Sequence, residues 1–310
     1  MLEKNQTAVT EFLLLGFQRL GSFKVVFLLL ILIVYVMTIT LNTIIIILVS
    51  TRQQLHLPMY FFLKQLSSVE IILVTIIVPN MLHVIWLDGA LISVKGCITQ
   101  SYLFVAVGST ECFLLTVMSY DRYVAICNPL LYHSIMDLKL QYRLVICCWM
   151  LGFLLTMITL VFMCNLQFCE HTIIDHFFCD LAPILELSCS DTLGFQIEIV
   201  VLSIPIIIVP FSLITISYIC IFITIFGIST AIKRKKAFST CSSHVTVVCI
   251  FFGTLIATYL VPSKGHALTV NKVIALTYTM ITPLFNPIIY SLRNQEMRIV
   301  MGKTFGCRRK

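Results

Sequence analysis

The chain has 310 residues, of which 59% are hydrophobic and 11% are charged, and its formal net charge is +7. Soluble domains carry about 25% charged residues, so this chain has too few charges to cover a surface that faces water. The composition therefore excludes a soluble enzyme or binding domain and predicts a protein that lies largely within lipid.

Seven segments are long and apolar enough to cross a membrane, which takes about 20 apolar residues per helix. The second segment holds Lys64 and Glu70, the third holds Glu111, and the other five contain long runs without any charge. Strands of a membrane barrel would be about half as long. We therefore predict an all-α membrane protein, with residues 1–310 forming one domain, a seven-transmembrane-helix bundle. The predicted spans are residues 25–51, 58–82, 96–120, 143–164, 196–228, 238–262 and 271–292.

The basic residues determine the predicted orientation, because they concentrate on the cytoplasmic side of membrane proteins. If the N-terminus is outside, fifteen of the 21 Lys and Arg residues lie on the inner side, including the run Lys233–Lys236. Residues 1–24 then form an extracellular tail and residues 293–310 a cytoplasmic tail. A basic collar that faces anionic lipid accounts for the net charge, so no nucleic-acid partner is predicted.

The extracellular tail carries one modification signal. Asn5-Gln6-Thr7 matches the acceptor pattern for N-linked glycans, and Asn5 lies on the lumenal side in the predicted topology. The tail has charges throughout and no small-residue cleavage site, so we expect no cleavable signal peptide. The first span is expected to direct its own insertion.

Four cysteines fall on the predicted outer side, where disulfides persist: Cys97, Cys169, Cys179 and Cys189. Four cysteines allow three pairings. Cys169, His171, His176 and Cys179 would alternatively suit a zinc ion, but the oxidising compartment favours disulfides. No other metal site and no cofactor are predicted.

Two acidic residues, Glu70 and Glu111, fall near the middle of the membrane without a basic residue at similar depth. A buried, unpaired carboxylate either stays protonated or holds a cation. With Asn42 and Asn286, the two acids would share a sodium ion or a proton. The alternative is a pair of neutral carboxylic acids that hydrogen-bond one helix to another.

Prolines predict irregular helices in two spans, because proline removes a backbone hydrogen bond. Pro205 and Pro210 would kink span five, and Pro283 and Pro287 would kink span seven. At the C-terminal end, the basic residues beside Cys307 predict a short amphipathic eighth helix anchored at the membrane.

Five segments carry a family resemblance, in order and on the expected sides of the membrane. Met118–Tyr132 reads MSYDRYVAICNPLLY, Pro58–Leu63 reads PMYFFL, Lys236–His244 reads KAFSTCSSH, Pro283–Asn294 reads PLFNPIIYSLRN and Phe178–Asp191 reads FCDLAPILELSCSD. Together they resemble a vertebrate olfactory receptor of the tetrapod-type class, within the rhodopsin-like superfamily of G-protein-coupled receptors.

This resemblance implies a receptor for small, volatile, mostly apolar odorants that activates a stimulatory, olfactory-type G protein and raises cyclic AMP. It also implies the plasma membrane of olfactory sensory neuron cilia, contact with membrane lipid, and export chaperones as partners. The superfamily's disulfide would be Cys97–Cys179, leaving Cys169–Cys189. Arg122 would pair with Asp121 and, on activation, turn to the G protein or to Tyr218 and Tyr290. The implied switch residues are Asp121, Arg122, Tyr123, Tyr218, Asn286, Pro287 and Tyr290.

The resemblance also implies a ligand pocket between spans three, five, six and seven. Ser109, Ser203 and Tyr259 are the candidates for a hydrogen bond that orients the ligand. The full predicted lining is Phe104, Val105, Gly108, Ser109, Cys112, Leu202, Ser203, Ile206, Phe251, Phe252, Ile256, Tyr259, Leu276 and Thr279.

Some positions depart from the family pattern or exclude other receptors. Leu41 stands where these receptors usually have Gly, Glu70 where they have Asp, and Phe252 where they have Tyr. Amine receptors have an Asp where this chain has Phe104, and opsins have a Lys where it has Met280. Two other classes fit poorly, since a transporter often shows an internal repeat and an intramembrane protease would need paired Asp residues or a Ser/His set. We therefore predict that the chain is not an enzyme.

Overall fold

The computed structural model describes residues 9–18, 20–169, 172–227, 230–260, 267–293 and 295–304. Within these ranges, the side chains of residues 231–233, 235–240, 243, 257–260, 267–269, 291–293 and 295 are left out of the description.

Helices make up most of the described chain. They are α1 Lys24–Thr51, α2 Pro58–Trp86, α3 Val94–Cys127, α4 Tyr132–Ile135, α5 Leu138–Cys164, α6 Leu181–Glu186, α7 Leu193–Ser203, α8 Val209–Phe226, α9 Ala231–Leu260, α10 Ala267–Leu276, α11 Thr282–Arg293 and α12 Gln295–Thr304. Short 3-10 turns, Gly21–Phe23 and Gln53–Leu55, flank α1.

Six segments among the described residues are long and apolar enough to cross a membrane. They are Gly21–Thr51, Pro58–Trp86, Val94–Cys127, Leu138–Cys164, Leu193–Phe226 and Val270–Tyr290. The sixth predicted span lies in α9, where His244–Ile256 forms a shorter apolar helix among the described residues. Much of the surface of α1 is apolar and exposed, as at Leu29, Leu30 and Ile33. A long exposed apolar face of this kind is expected where a helix lies against lipid.

Spans five and seven each contain a π-helical turn instead of continuous α-helix. Ile204–Ile208 joins α7 to α8, and Thr277–Ile281 joins α10 to α11. Pro205 lies in the first of these turns and cannot donate a backbone hydrogen bond. A π turn adds a residue to the helix and rotates everything after it.

A three-stranded sheet, which the sequence did not predict, covers one end of the bundle. β1 Glu11–Leu14 lies between β2 Ala90–Ser93, to which it is antiparallel, and β3 Ile173–Ile174, to which it is parallel. We call this end, with β1, β2 and β3, the outer end, and the opposite end the inner end.

Two disulfides lie at the outer end. Cys97 in the first turn of α3 pairs with Cys179, with 5.3 Å between their Cα atoms, and Cys169 pairs with Cys189 across 6.1 Å. The first bridge fixes the loop before α6 to the start of α3.

Helices α3 and α5 approach each other closely at Gly152, where a Cβ atom would lie 2.8 Å from the backbone oxygen of Ala106. At the inner end, α12 buries Met297 and Val300 against the bundle. The short C-terminal helix is therefore present, while Cys307 lies outside the described residues.

Candidate ligand cavity and switch region

A cavity of about 210 Å³ opens between the helices in the outer half of the bundle. Pockets that hold drug-sized ligands measure roughly 300–1,000 Å³, so this cavity suits a smaller molecule. Its lining is mostly apolar and consists of Leu73, Phe104, Val105, Gly108, Ser109, Glu111, Cys112, Thr156, Thr159, Asp180, Leu181, Ile199, Leu202, Ser203, Ile206, Ile207, Phe251, Thr254, Leu255 and Tyr278.

The structure brings together nine of the fourteen residues predicted for the pocket. They are Phe104, Val105, Gly108, Ser109, Cys112, Leu202, Ser203, Ile206 and Phe251. The side chain of Tyr259 lies outside the described residues. The other four line no part of this cavity.

Two of those four lie on α9. Phe252 is buried against Phe211 on α8, with ring centroids 5.1 Å apart, and Ile256 is 48% exposed on the outside of the bundle. Successive helical residues point about 100° apart. Phe251 therefore faces the cavity while Phe252 packs between helices.

The other two lie on span seven. Thr279 is buried and donates a hydrogen bond to the backbone oxygen of Ala275 at 2.7 Å, and Leu276 packs in the outer core beside α2. The π turn changes the phase of the helix here. Tyr278 faces the cavity instead, and it was not among the lining residues that the resemblance implied.

Span four and the loop before α6 also contribute lining residues that were not predicted. Thr156 and Thr159 on α5 form a polar stripe with Gly152 at helical spacing, a signal that periodicity alone could have revealed. Asp180 and Leu181 reach the cavity because they follow Cys179, which is bonded to α3. Among these residues, Asp180 is the main polar addition.

Asp180 is a capping residue whose two carboxylate oxygens both accept hydrogen bonds. Oδ1 accepts from the backbone N–H of Leu181 at 2.7 Å, and Oδ2 accepts from the hydroxyl of Tyr278 at 3.3 Å. Burial raises the pKa of Asp180, and these two hydrogen bonds oppose the rise. The carboxyl thus joins the loop to span seven at the outer end of the cavity.

The predicted group of buried acids assembles below the cavity. The side-chain amide of Asn286 donates to Oε1 of Glu70, and the carboxyls of Glu70 and Glu111 are within hydrogen-bonding reach of each other. Asn42 instead bonds the backbone oxygens of Thr38 and Pro283, at 3.0 and 3.3 Å. Asn42 therefore ties α1 to α11 rather than facing the acids.

Three oxygen atoms of this group are buried without a hydrogen-bond partner among the described residues: Oε2 of Glu70, Oε1 of Glu111 and Oδ1 of Asn286. Unsatisfied buried acceptors are costly. Oxygen ligands suit a hard cation such as sodium, and a proton shared between the carboxyls would also relieve their repulsion. Glu111 also lines the cavity, so this side chain touches both sites.

The predicted switch pair is formed at the inner end of α3. Arg122 bonds the carboxylate of Asp121, with Nε donating at 3.0 Å, and the Asp121 side chain is only 1% exposed. The hydroxyl of Tyr132 on α4 donates to the other carboxylate oxygen at 2.8 Å. Tyr132 is a partner that sequence reasoning missed, although it ends the quoted Met118–Tyr132 motif. Tyr123 packs near Tyr120, with ring centroids 6.5 Å apart.

Neither predicted tyrosine acceptor contacts Arg122 in this state. Tyr218 is hydrogen-bonded to Nδ1 of His244, and the hydroxyl of Tyr290 is buried without a partner among the described residues. The rings of His244 and Tyr290 lie 6.4 Å apart. Pro287 lies inside α11 one turn before Tyr290. His244 thus joins the switch region, which the sequence did not predict.

Comparison with known proteins assigns the family. A family model described as olfactory receptor matches residues 31–307. Olfactory receptor 10A3 of Homo sapiens is 43% identical over 303 residues, covering 98% of this chain and 96% of the relative. Olfactory receptor 6Y1 of Homo sapiens (98% and 94% covered) and olfactory receptor 5G9 of Mus musculus (98% and 97%) are also 43% identical. The chain belongs to the olfactory receptor family.

Family membership confirms several predictions made from the sequence. This olfactory receptor is a multi-pass membrane protein with the predicted seven-helix bundle and C-terminal helix, and it is a receptor rather than an enzyme. The roles of the individual site residues stay predictions. Asn5 lies outside the described residues.

Proposed function

We propose that this olfactory receptor binds small, mostly apolar odorants in the cavity between α3, α5, α7, α9 and the loop before α6. Binding activates a stimulatory, olfactory-type G protein and raises cyclic AMP. The receptor works in the plasma membrane of olfactory sensory neuron cilia, with the N-terminus outside, in contact with lipid and after delivery by export chaperones.

The cavity is the observation that carries this proposal. It is small and apolar, with a few polar groups at its edges, which is how proteins bind small organic ligands. A chain of contacts leads from it toward the inner end. Glu111 lines the cavity and reaches Glu70, and Asn286 bonds Glu70 from α11. A ligand shifts the receptor only by binding one state more tightly than the other.

Gly108 offers a direct test of the cavity. A Cβ atom at Gly108 would meet nothing within 4 Å, although the residue lines the cavity. Gly108→Leu therefore adds a side chain to the cavity wall from an unobstructed Cβ position and takes up ligand space. Gly253 on α9 is equally unobstructed but lines no part of the cavity. Gly253→Leu is thus the matched control.

The measurement is a cyclic AMP reporter assay with an odorant panel, in cells that express the receptor with an export chaperone. Surface labelling measures the amount of each variant. We expect a dose-dependent response that Gly108→Leu abolishes and Gly253→Leu retains. Arg122→Ala should abolish the response at equal surface level by removing the group that meets the G protein. Equal responses from both glycine variants would refute this cavity as the binding site, and silence of the wild type at proven surface level would refute the receptor function proposed here.

We also propose that Glu70, Glu111 and Asn286 share a sodium ion or a proton in the resting state. Glu70→Gln removes a charge but keeps the shape of the side chain. If sodium binds, raising external sodium shifts the wild-type dose–response curve and leaves that of Glu70→Gln unchanged. If a proton is shared, neither curve moves with sodium but the wild-type curve shifts with pH.

A further inference from the structure

The hydroxyl groups around the cavity share one feature: each already donates its hydrogen to the protein. The donors and their acceptors are Ser109 to the oxygen of Val105 at 2.7 Å, Thr156 to that of Gly152 at 2.7 Å, Ser203 to that of Val200 at 2.7 Å, Thr254 to that of Phe251 at 2.8 Å, and Thr159 to Oε1 of Glu198 at 2.8 Å. Four of the five acceptors are backbone carbonyls of the same helix.

A carbonyl oxygen carries no hydrogen, so the hydroxyl must be the donor in each of those four contacts. A hydroxyl has one hydrogen and two acceptor lone pairs. Once the hydrogen points along the helix backbone, the hydroxyl can only accept from a ligand. The hydroxyls of Ser109, Thr156 and Ser203 therefore present lone pairs toward the cavity.

The remaining polar groups of the lining also offer mainly hydrogen-bond acceptors to a ligand. Asp180 is an acceptor on both oxygens, and the hydroxyl of Tyr278 donates to it. The carboxyl of Glu111 lies beside Glu70 and Asn286, and its Oε1 is an acceptor without a partner among the described residues. No Lys, Arg or His side chain lines the described cavity. Cys112 supplies a thiol, which is a weak donor.

We propose that this cavity selects odorants that bring their own hydrogen-bond donor, above all neutral alcohols, and rejects aldehydes, ethers and carboxylic acids of the same carbon skeleton. This selectivity rests on the function proposed above, and it names the chemical class of ligand. An aldehyde or ether oxygen would face protein oxygens without any hydrogen between them. An ionised acid would in addition meet the carboxyls of Asp180 and Glu111.

A protonated amine also carries donors, but the geometry favours the alcohol. Taking an ammonium ion out of water into this mostly apolar cavity costs far more than taking a hydroxyl. Of the two carboxyls that line the cavity, Asp180 already accepts two hydrogen bonds, and Glu111 lies beside a second buried acid, Glu70. A neutral hydroxyl needs only one lone pair, and several are offered.

The test compares ligands of equal size that differ only in the donor. Octanol, octanal and heptyl methyl ether have the same number of carbon and oxygen atoms, and matching cyclic and aromatic trios extend the set. Two readouts are used on the full-length receptor: cyclic AMP in cells, and the thermal unfolding midpoint of the purified receptor in lipid nanodiscs. Binding raises that midpoint whether or not the receptor couples to a G protein.

We expect the best alcohol to act at a concentration at least about fivefold lower than its aldehyde or ether, because an unpaired buried acceptor weakens binding by a factor of about five or more. Octanoate and octylamine should be weaker than octanol. An aldehyde or ether that matches its alcohol in both readouts would overturn the proposal, as would activation by amines alone.

Variants separate ligand contact from a structural role. Ser109→Ala and Ser203→Ala each remove an acceptor, and we expect one of them to weaken alcohols about fivefold while leaving ethers unchanged. Ser212→Ala is the matched control, since Ser212 also donates to its own helix, at 2.8 Å to the oxygen of Ile208, but is exposed outside the cavity. An equal loss for alcohols and ethers in the variants would contradict the proposal. Alcohol-selective binding in nanodiscs without a cellular response would support it and refute only the signalling function.

Discussion

Removing the hydroxyl of Tyr132 is the sharpest test of the switch at the inner end. This hydroxyl donates to the buried carboxylate of Asp121 at 2.8 Å, while Arg122 bonds the other oxygen. A hydrogen bond to a charged group contributes about 1.5–3 kcal/mol, and the lower value applies because Tyr132 is only partly buried. Tyr132→Phe should therefore destabilise the resting state, in which Asp121 and Arg122 are paired, by about 1.5 kcal/mol relative to the active state.

That free energy corresponds to about a tenfold change in an equilibrium between two states. If about 1% of receptors are active without ligand, Tyr132→Phe should raise this fraction to about 10%. The assay is ligand-free cyclic AMP, normalised to the receptor labelled at the cell surface. An odorant should then act at a lower concentration, because part of the resting constraint is gone.

Tyr142 provides the control. Its ring packs against Phe61 with centroids 5.0 Å apart, it is exposed, and its hydroxyl makes no hydrogen bond within the described chain. Tyr142→Phe should leave ligand-free cyclic AMP unchanged. Ligand-free cyclic AMP that is unchanged or lowered in Tyr132→Phe at equal surface level would refute a restraining role for this hydrogen bond.

Three further changes test the packing and the outer end. Gly152→Ala should lower the free energy of unfolding by about 1–3 kcal/mol, since its Cβ would lie 2.8 Å from a backbone oxygen of α3. The control Gly253→Ala places its Cβ in open space and should not lower it. Thermal unfolding of the two variants compares them. Lys272 bonds Asp175 at 2.5 Å. Lys272→Met and Asp175→Asn should each lower the free energy of unfolding by about 1 kcal/mol. The double variant should lose no more than either single variant, and a double-mutant cycle of unfolding midpoints measures this. Burial lowers the pKa of His176 to about 3. As pH falls below about 6.5, the unfolded chain therefore takes up a proton that the folded chain does not. The free energy of unfolding should drop by about 2 kcal/mol by about pH 5, and His176→Phe should flatten that pH dependence.

The features that could be predicted from the sequence are those that depend on the composition of a continuous stretch of chain. A membrane segment must be apolar over about 20 residues, and this requirement is visible without knowing any neighbour. The acids Glu70 and Glu111 could be predicted as a pair for the same reason, since a lone charge in lipid needs a partner. The Asp121–Arg122 contact is between adjacent residues, and its chemistry is readable directly.

The features that could not be predicted depend on the rotation of a helix about its own axis and on contacts between segments that are distant in the sequence. One extra residue in the π turn at Thr277–Ile281 places Tyr278 rather than Thr279 at the cavity. The sheet requires Leu13 to pair with Ile173 across the whole outer end, and strands of two to four residues have no distinctive pattern. Asp180 reaches the cavity only because the neighbouring Cys179 is bonded to α3.

Glu111 belongs both to the cavity lining and to the group of buried acids, so a ligand bound in the cavity should affect the acids. The residue lines the cavity, yet it also reaches Glu70, which holds Asn286 on span seven. A ligand hydroxyl that donates to Glu111 would compete with the proton or cation that we propose the two acids share. Such a ligand would stabilise a different arrangement of α2, α3 and α11, and that difference in binding between two states is what a receptor needs in order to respond. An ether of the same size occupies the same space without supplying a hydrogen, so it should bind weakly and leave the acids undisturbed.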